Sequence, residues 1–213
     1  MNREFKLFVD QLAAEETSSR AFNQYSYVCQ ENEARRNNLL VYLNKMYEIK
    51  PRLLLVGEAP GYRGCRLTGV PFTSEHLLMN NMKGLTLFGK EQGYRLASPD
   101  GKLLKEATAT IIWETLLDNE LMALGWNSFP FHPHKEGNPT SNRAPLQGEL
   151  ELGERYLQRV VELFDIKNIV AVGNKAAETL QKLHINCHKV RHPAQGGKNE
   201  FVQGIKNIKE TLL

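Results

Sequence analysis

The feature that most constrains the fold is an uninterrupted apolar run, Leu53-Leu54-Leu55-Val56, which ends at Gly57. A strand buried on both faces of a parallel sheet has this pattern, because polar side chains fit neither face. The run is far shorter than the roughly 18 apolar residues that a membrane span needs, and no other stretch approaches that length. We therefore expect a soluble intracellular protein in the cytoplasm, without a membrane partner.

Strand-like and helix-like segments alternate after this run. Three more short strands are predicted, at residues 126–131, 168–172 and 188–191. Helical periodicity is found at about residues 104–124, 148–164, 175–183 and from about 200 to the carboxyl terminus. This alternation predicts an α/β fold with three layers, in which a central four-stranded parallel sheet lies between helices.

The length of 213 residues favours one compact domain, residues 1–213, since chains usually divide only above roughly 250 to 300 residues. Residues 1–47 contain two amphipathic helices joined by a polar, aromatic-bearing loop, and we expect this segment to pack on the core. Lysines and arginines number 27 against 24 acidic residues, and a net charge of +3 permits a polyanionic partner without indicating one. We expect a monomer.

Cysteine and histidine spacing argues against a metal or disulfide scaffold. Cys29, Cys65 and Cys187 are odd in number and far apart, with no Cys-x-x-Cys pair, which argues against a disulfide scaffold, a zinc ribbon and a four-thiolate iron–sulfur cluster. His132 and His134 lie two residues apart but lack a third ligand, so we expect them at the surface or against phosphates. No metal and no other cofactor is expected.

In a parallel sheet, ligands bind outside the carboxyl ends of the strands, so the loops that follow the strands are the places to seek chemistry. The first of these loops, GEAPGYRGCRLTGVPFTSE (57–75), has glycines and a proline that let backbone N–H groups approach a ligand closely. Alone, it is a weak signal, because about half of such turns are purely structural or bind phosphate in a general way, and neither a Walker lysine nor G-x-G-x-x-G is present.

Four features in a fixed order resemble the uracil-DNA glycosylase superfamily: GEAPG, then TGVPF at 68–72, then Asn127 opening a strand, then His192-Pro193 ending one. The resemblance runs from about Arg52 to the carboxyl terminus and is closest to members that share GEAPG with the iron–sulfur bacterial and archaeal enzymes. It implies DNA as the partner, single- or double-stranded, extrusion of a base, and hydrolysis of its N-glycosidic bond. The cluster cysteines of those relatives are absent here.

The same resemblance implies a role for each matching residue. Phe72 looks like the aromatic plate on which the base stacks, Asn127 like the side chain that reads its Watson–Crick edge, and His192 like the group that faces O2. The floor of the pocket is implied to be the turn formed by Gly57, Glu58, Ala59, Pro60 and Gly61.

Departures from the family pattern bear on the hydrolytic step. Ala59 stands where the best-known members carry the aspartate that activates water, so that residue cannot act here. Glu58 and Glu75 are the alternative carboxylates, although an acid such as Glu75 also suits the first turn of a helix. Gly61 replaces a tyrosine that excludes the methyl group of thymine, which implies tolerance of a 5-substituent. After Pro193 the bulky wedge of the family is missing.

Basic residues near the two strongest loops are candidates for phosphate contacts, namely Arg63, Arg66, Arg143 and Lys198. The primary hypothesis is a DNA glycosylase acting on uracil or a related deaminated base. Two alternatives stay open at this point. One is a nucleic-acid-binding relative that has lost hydrolysis, and the other is an α/β phosphate or nucleotide binder that shares only the strand and turn layout.

Overall fold

The computed structural model of the protein describes residues 2–97 and 103–212, which form two compact units. The sheet unit comprises residues 50–59, 107–130 and 145–212. The helical unit comprises residues 2–49, 60–97 with 103–106, and 131–144. No helix in these described ranges combines the length and apolar character that crossing a membrane requires. The expectation of one domain over the whole chain stays a prediction.

The elements are numbered along the chain. The helices are α1 (Arg3–Ala14), α2 (Asn32–Ile49), α3 (Cys65–Thr68), α4 (Glu75–Asn80), α5 (Ala107–Asp118), α6 (Gln147–Phe164), α7 (Asn174–Lys182) and α8 (Lys198–Leu212), with a 3₁₀ turn at Lys90–Gln92. The strands are β1 (Ala21–Phe22), β2 (Leu53–Gly57), β3 (Ala123–Asn127), β4 (His132–Pro133), β5 (Asn168–Val172) and β6 (His188–Val190).

The sheet unit is built on four parallel strands in the order β3-β2-β5-β6. All five residues of β2 are buried, because this strand has a neighbour on each side and helices cover the sheet. Helices α6, α7 and α8 contact the strands, and α5 packs on α8. The predicted α/β fold with a central four-stranded parallel sheet flanked by helices is confirmed.

The predicted position of β3 is wrong by about three residues. A strand was expected at 126–131 after a helix reaching residue 124, but α5 ends at Asp118 and the strand runs from Ala123 to Asn127. Glu120 has φ 54°, and this left-handed residue stops the helix although apolar residues continue beyond it. Asn127 therefore closes the strand instead of opening it.

The helical unit contains the amino-terminal segment. Helix α1 buries Phe5, Phe8 and Leu12 along one face, and it packs against α2. A hydrogen bond of 2.9 Å from the backbone N–H of Asn2 to Oδ1 of Asn44 ties the start of α1 to α2. The loop between these helices contributes β1, which pairs antiparallel with β4 and was not predicted from sequence.

A pair of glycines in α6 tests how closely this helix approaches the end of β3. A Cβ at Gly153 would lie 2.0 Å from the carbonyl oxygen of Ser128, whereas a Cβ at Gly148 would meet nothing within 4 Å. We expect Gly153→Ala to lower the free energy of unfolding by about 2 kcal/mol or more through overpacking. Gly148→Ala should be neutral or stabilising by up to about 1 kcal/mol. Urea denaturation of both variants measures this difference, and equal stabilities would contradict the close approach.

Candidate active site

The register of the sheet places Asn127 beside the GEAPG turn. Gly57 at the end of β2 is paired with Asn127 at the end of β3. Beyond this pair, the backbone N–H of Ser128 donates to the carbonyl oxygen of Gly57 at 2.8 Å, and the backbone N–H of Phe129 donates to the backbone carbonyl oxygen of Glu58 at 3.0 Å. The first two residues of the turn are thus fixed by the loop that carries Asn127.

The side chain of Asn127 is buried, with an exposed fraction of 4%. Among the residues that the structure describes, its carboxamide has no hydrogen-bond partner. Its Oδ1 and Nδ2 are not among the fully buried, unpartnered polar atoms of the described residues, so both keep some contact with solvent. Asn127 therefore neither caps a turn nor serves the fold through its amide, and this group is available to a ligand.

His192 is held in one tautomer at the end of the sheet unit's last strand. Its Nδ1 accepts a hydrogen bond of 3.1 Å from the backbone N–H of Ala194. Partial burial lowers the pKa of His192, and the neighbouring charge of Arg191 lowers it further. A neutral ring whose Nδ1 accepts must carry its proton on Nε2, so Nε2–H is the donor of this ring.

Two glycines that sequence analysis did not single out support His192. Gly173 directly follows β5 with φ 92°, and a Cβ there would lie 3.4 Å from Cβ of His192. A Cβ at Gly197 would lie 2.2 Å from the His192 carbonyl oxygen. Gly173 follows a buried strand just as Gly57 ends one, and that repeated pattern was the signal available in the sequence.

Glu58 is the carboxylate of the turn within the sheet unit. It is half-buried, and this burial raises its pKa, while Lys175 at the start of α7 opposes the rise. Glu178 adds to the rise but pairs with Lys175 at 2.8 Å. A carboxylate with a raised pKa holds a proton more readily than usual and can accept one from water.

These three groups follow different strands of one parallel sheet. Asn127 ends β3, Glu58 follows the adjacent β2, and His192 follows β6 at the far edge. Strands lie about 4.8 Å apart, so Asn127 and His192 follow strands roughly 14 Å apart. The carboxyl end of the sheet thus offers an amide, a carboxylate and an imidazole donor in a row, with Gly173 between the last two.

The backbone of Phe72 is held in an uncommon conformation in the helical unit. Its φ is 53°, in the left-handed region, and its side chain is half-exposed. Next to it, the hydroxyl of Thr73 donates to the Val70 carbonyl at 2.7 Å and lies 2.7 Å from the hydroxyl of Thr68. These bonds hold the turn, and strain in a bulky residue is typical of functional positions. The stacking role of Phe72 stays a prediction.

Glu75 has a structural partner. It begins α4 directly after the N-cap residue Ser74, and only 4% of it is exposed. Its Oε2 accepts a hydrogen bond of 3.2 Å from the backbone N–H of Leu104. This bond links α4 to residues 103–106 and gives the Glu75 carboxylate a structural role, while its catalytic role stays a prediction.

The four basic candidates differ in exposure. Arg63 is exposed beside the ring of Tyr62, and Lys198 is exposed at the start of α8. Arg143 is committed to the backbone, since its guanidinium donates to the carbonyls of His134 at 2.9 Å and Arg20 at 2.8 Å. Arg66 is half-buried. Of the four, only Arg63 and Lys198 are exposed to solvent, and phosphate binding stays a prediction for all of them.

A comparison with protein-family models gives a match to the uracil DNA glycosylase superfamily over residues 45–211. The chain belongs to this superfamily. The match extends from α2 to α8 and includes GEAPG, Asn127 and His192. This superfamily is one of DNA glycosylases, and its members bind DNA. A search of curated proteins gave no match.

In this superfamily member, His132 and His134 are buried, so the expectation that they lie at the surface is wrong. His132 is fully buried and joins two loops of the helical unit, with Nδ1 at 2.8 Å from the Pro60 carbonyl oxygen and Nε2 at 3.2 Å from that of Pro139. A second link runs from the Tyr62 N–H to Oδ1 of Asn142 at 2.9 Å. Within the described residues, no three His, Cys, Asp or Glu side chains are grouped to hold a metal ion.

The pKa of His132 provides a test of this link. Burial lowers it from 6.5 to about 4, so the unfolded chain binds a proton more readily than the folded one. Stability should be fully present above pH 6.5 and should fall as the pH drops towards 4, by about 3 kcal/mol. We expect His132→Gln to lose this part of the pH dependence in urea denaturation, while the exposed-site control His188→Gln keeps it. Equal profiles for wild type and His132→Gln would contradict the buried neutral histidine.

Two substitutions at Phe72 separate the ring from the backbone. Both Phe72→Gly and Phe72→Ala remove the ring, but only glycine adopts φ 53° without a steric penalty of about 1 kcal/mol. Phe72→Gly should therefore have the higher free energy of unfolding by about that amount. A more stable Phe72→Ala, measured in the same denaturant series, would show that the left-handed conformation is not imposed.

Proposed function

We propose that this superfamily member is a DNA glycosylase that hydrolyses the N-glycosidic bond of uracil or a related deaminated base in DNA. The observation that carries the proposal is the carboxamide of Asn127, a residue with only 4% exposed, which has no hydrogen-bond partner among the described residues and lies opposite Gly57 of the GEAPG turn. A base inside a duplex must be extruded before its glycosidic bond can be attacked. The polar edge of an extruded base supplies what this amide lacks.

The amide suits uracil because it offers one acceptor beside one donor. Its oxygen accepts from N3–H of uracil, and its NH₂ group donates to O4. A deaminated base thereby satisfies both halves of a buried group, whereas a base with the wrong pattern leaves polar atoms unpaired. Gly61 has room around it, since a Cβ there would meet nothing within 4 Å. We propose that a 5-substituent is tolerated there.

Breaking the bond leaves negative charge on the departing base. As water attacks C1′, the C1′–N1 electron pair leaves with the base and charge develops on O2. His192 donates Nε2–H to O2, and an oriented donor of this kind typically contributes around 3 kcal/mol to the lowering of the barrier. The hydrogen bond from Ala194 keeps the proton on Nε2. A neutral imidazole accomplishes this without giving up its proton.

The water that attacks C1′ needs an acceptor for its proton. Ala59 has no group for this task, and Glu75 is bound to the Leu104 N–H, which leaves Glu58 as the proposed base. The raised pKa of Glu58 fits that role. Arg63 and Lys198 are proposed to contact phosphates, and Phe72 to stack on the base, where an aromatic plate contributes roughly 1 to 3 kcal/mol.

The proposal is tested by base release. Purified protein is incubated with labelled single- and double-stranded oligonucleotides that carry uracil, hypoxanthine, xanthine or mismatched thymine, and abasic sites are cleaved with alkali. We expect cleavage of at least the uracil substrate, and a loss of about 10²-fold or more in rate for Asn127→Asp, which places an acceptor oxygen opposite O4 where the NH₂ donor was. No cleavage of any substrate by a folded, DNA-binding protein would overturn the proposal.

The pH dependence of the rate tests the role of Glu58. Because burial raises the pKa of Glu58 above 4.5, the carboxylate form is lost as the pH falls through a value higher than that. The rate should fall over the same range. Glu58→Gln should lower the rate by about 10² to 10⁴ and abolish this acidic limb. Glu75→Gln is the matched comparison and should keep the limb; a limb that disappears in Glu75→Gln instead would reassign the base.

A second candidate function is a superfamily member that binds nucleic acid without hydrolysis, which Ala59 at the centre of the turn favours. The base-release and DNA-binding experiments distinguish this candidate from the first. DNA binding would be retained in His192→Ala, and no abasic product would form at any protein concentration.

A further inference from the structure

Two arginines of the helical unit share one aromatic ring. The guanidinium carbon of Arg66 lies 5.0 Å from the centroid of the Phe22 ring, and that of Arg35 lies 5.8 Å from it. Phe22 ends the short strand β1, Arg35 lies on α2 and Arg66 on α3, so three separate elements bring the cluster together. Arg35 and Phe22 belong to no motif that the proposed reaction uses.

The positive charges of Arg35 and Arg66 lie at the same ring, and few negative charges offset them. Arg35 is buried, with 7% exposed, and Arg66 is half-buried. Within the described residues, neither forms an ion pair with a carboxylate. Burial lowers the pKa of both, and the charge of Arg66 lowers that of Arg35 further; Cys29, Glu31 and Glu75 act on Arg35 in the opposite direction. Like charges at a partly buried site favour the binding of an anion.

Each of the two guanidiniums has N–H groups without a partner among the described residues. Arg35 is fixed by a bond of 3.2 Å from Nε to the Leu67 carbonyl and by a bond from Nη1 to Asn32, which leaves the N–H groups of Nη2 without a described partner. Gly69 packs against its backbone, since a Cβ there would lie 2.4 Å from the Arg35 carbonyl oxygen. The Nε of Arg66 is buried and unpartnered. A rigid arginine thus lies beside one with an unsatisfied donor.

We propose that Phe22, Arg35 and Arg66 form a binding site for a phosphate group of the DNA backbone. Planar guanidiniums match phosphate oxygens with parallel N–H donors, and stacking on Phe22 orients them for that contact. The phosphate chemistry follows from this cluster, whereas the choice of DNA as its source rests on the proposed function. The site extends the interface to the amino-terminal segment, of which residues 2–44 lie outside the family match.

Salt dependence of DNA binding tests the proposal. Binding of labelled oligonucleotides without a damaged base is measured at several salt concentrations for wild type, Arg66→Gln, Arg66→Lys and Arg95→Gln. Each phosphate contact contributes about 0.7 to the slope of log K against log salt for single strands and about 0.9 for duplexes. We expect Arg66→Gln to lose about that amount and Arg66→Lys to retain it. Arg95 is exposed in the same unit and lies 3.9 Å from Glu33, so Arg95→Gln is the matched control and should keep the wild-type slope.

A second measurement isolates the phosphate chemistry from DNA. Inorganic phosphate should raise the Tm of wild type and Arg95→Gln more than that of Arg66→Gln. A wild-type slope in Arg66→Gln, or an equal loss in Arg95→Gln, would overturn the proposal. A phosphate effect on Tm without any DNA binding would also overturn it, because the site would then serve a free phosphate compound.

These outcomes are independent of base release. Absence of glycosylase activity with a reduced salt slope in Arg66→Gln would contradict the proposed function and leave the phosphate site standing. Base release by the wild type, with an unchanged salt slope in Arg66→Gln, would support the proposed function and contradict the phosphate site.

Discussion

The parallel pairing of β2 with β3 is the constraint on which the rest of the site depends. Because β2 is buried on both faces, its apolar residues fix it at the centre of the sheet, and its last residue, Gly57, comes to lie opposite Asn127. A slip of one residue would turn Asn127 to the other face of the sheet. The backbone bonds from Ser128 and Phe129 to the turn, and the contact at Gly153, maintain this register.

The electrostatics of the sheet unit favour neutral groups at the carboxyl end of the strands. Burial raises the pKa of Glu58 and lowers that of His192, so both shifts move their groups towards the uncharged form. Desolvation is the first cause in each case. An uncharged donor, together with a carboxylate that accepts a proton readily two strands away, suits a reaction whose leaving group carries the developing charge. Arg63 and Lys198 remain exposed, where their charge attracts a polyanion.

Sequence reasoning located the elements whose pattern is local and missed what depends on distant residues. The apolar run of β2 and the alternation of strands and helices predicted the parallel sheet correctly. The start of β3 was misplaced because apolar residues continue past the point where Glu120 ends α5, and nothing in the apolar period marks a left-handed residue. His132 was assigned to the surface by its polarity, but it is buried in the helical unit, where its ring nitrogens face the Pro60 and Pro139 carbonyl oxygens and its single N–H donates to one of them. The Arg35 and Arg66 cluster joins residues on three elements, and such proximity has no periodic signature.

The central claim is that the carboxyl end of this sheet reads an extruded base. A crystal structure of Glu58→Gln bound to a uracil-containing oligonucleotide tests it most directly. The account predicts that uracil lies outside the helical stack, with N3 and O4 within about 3 Å of the Asn127 carboxamide and O2 near Nε2 of His192. A base that stays stacked, or that binds elsewhere while the Asn127 amide makes no contact with it, would contradict the account.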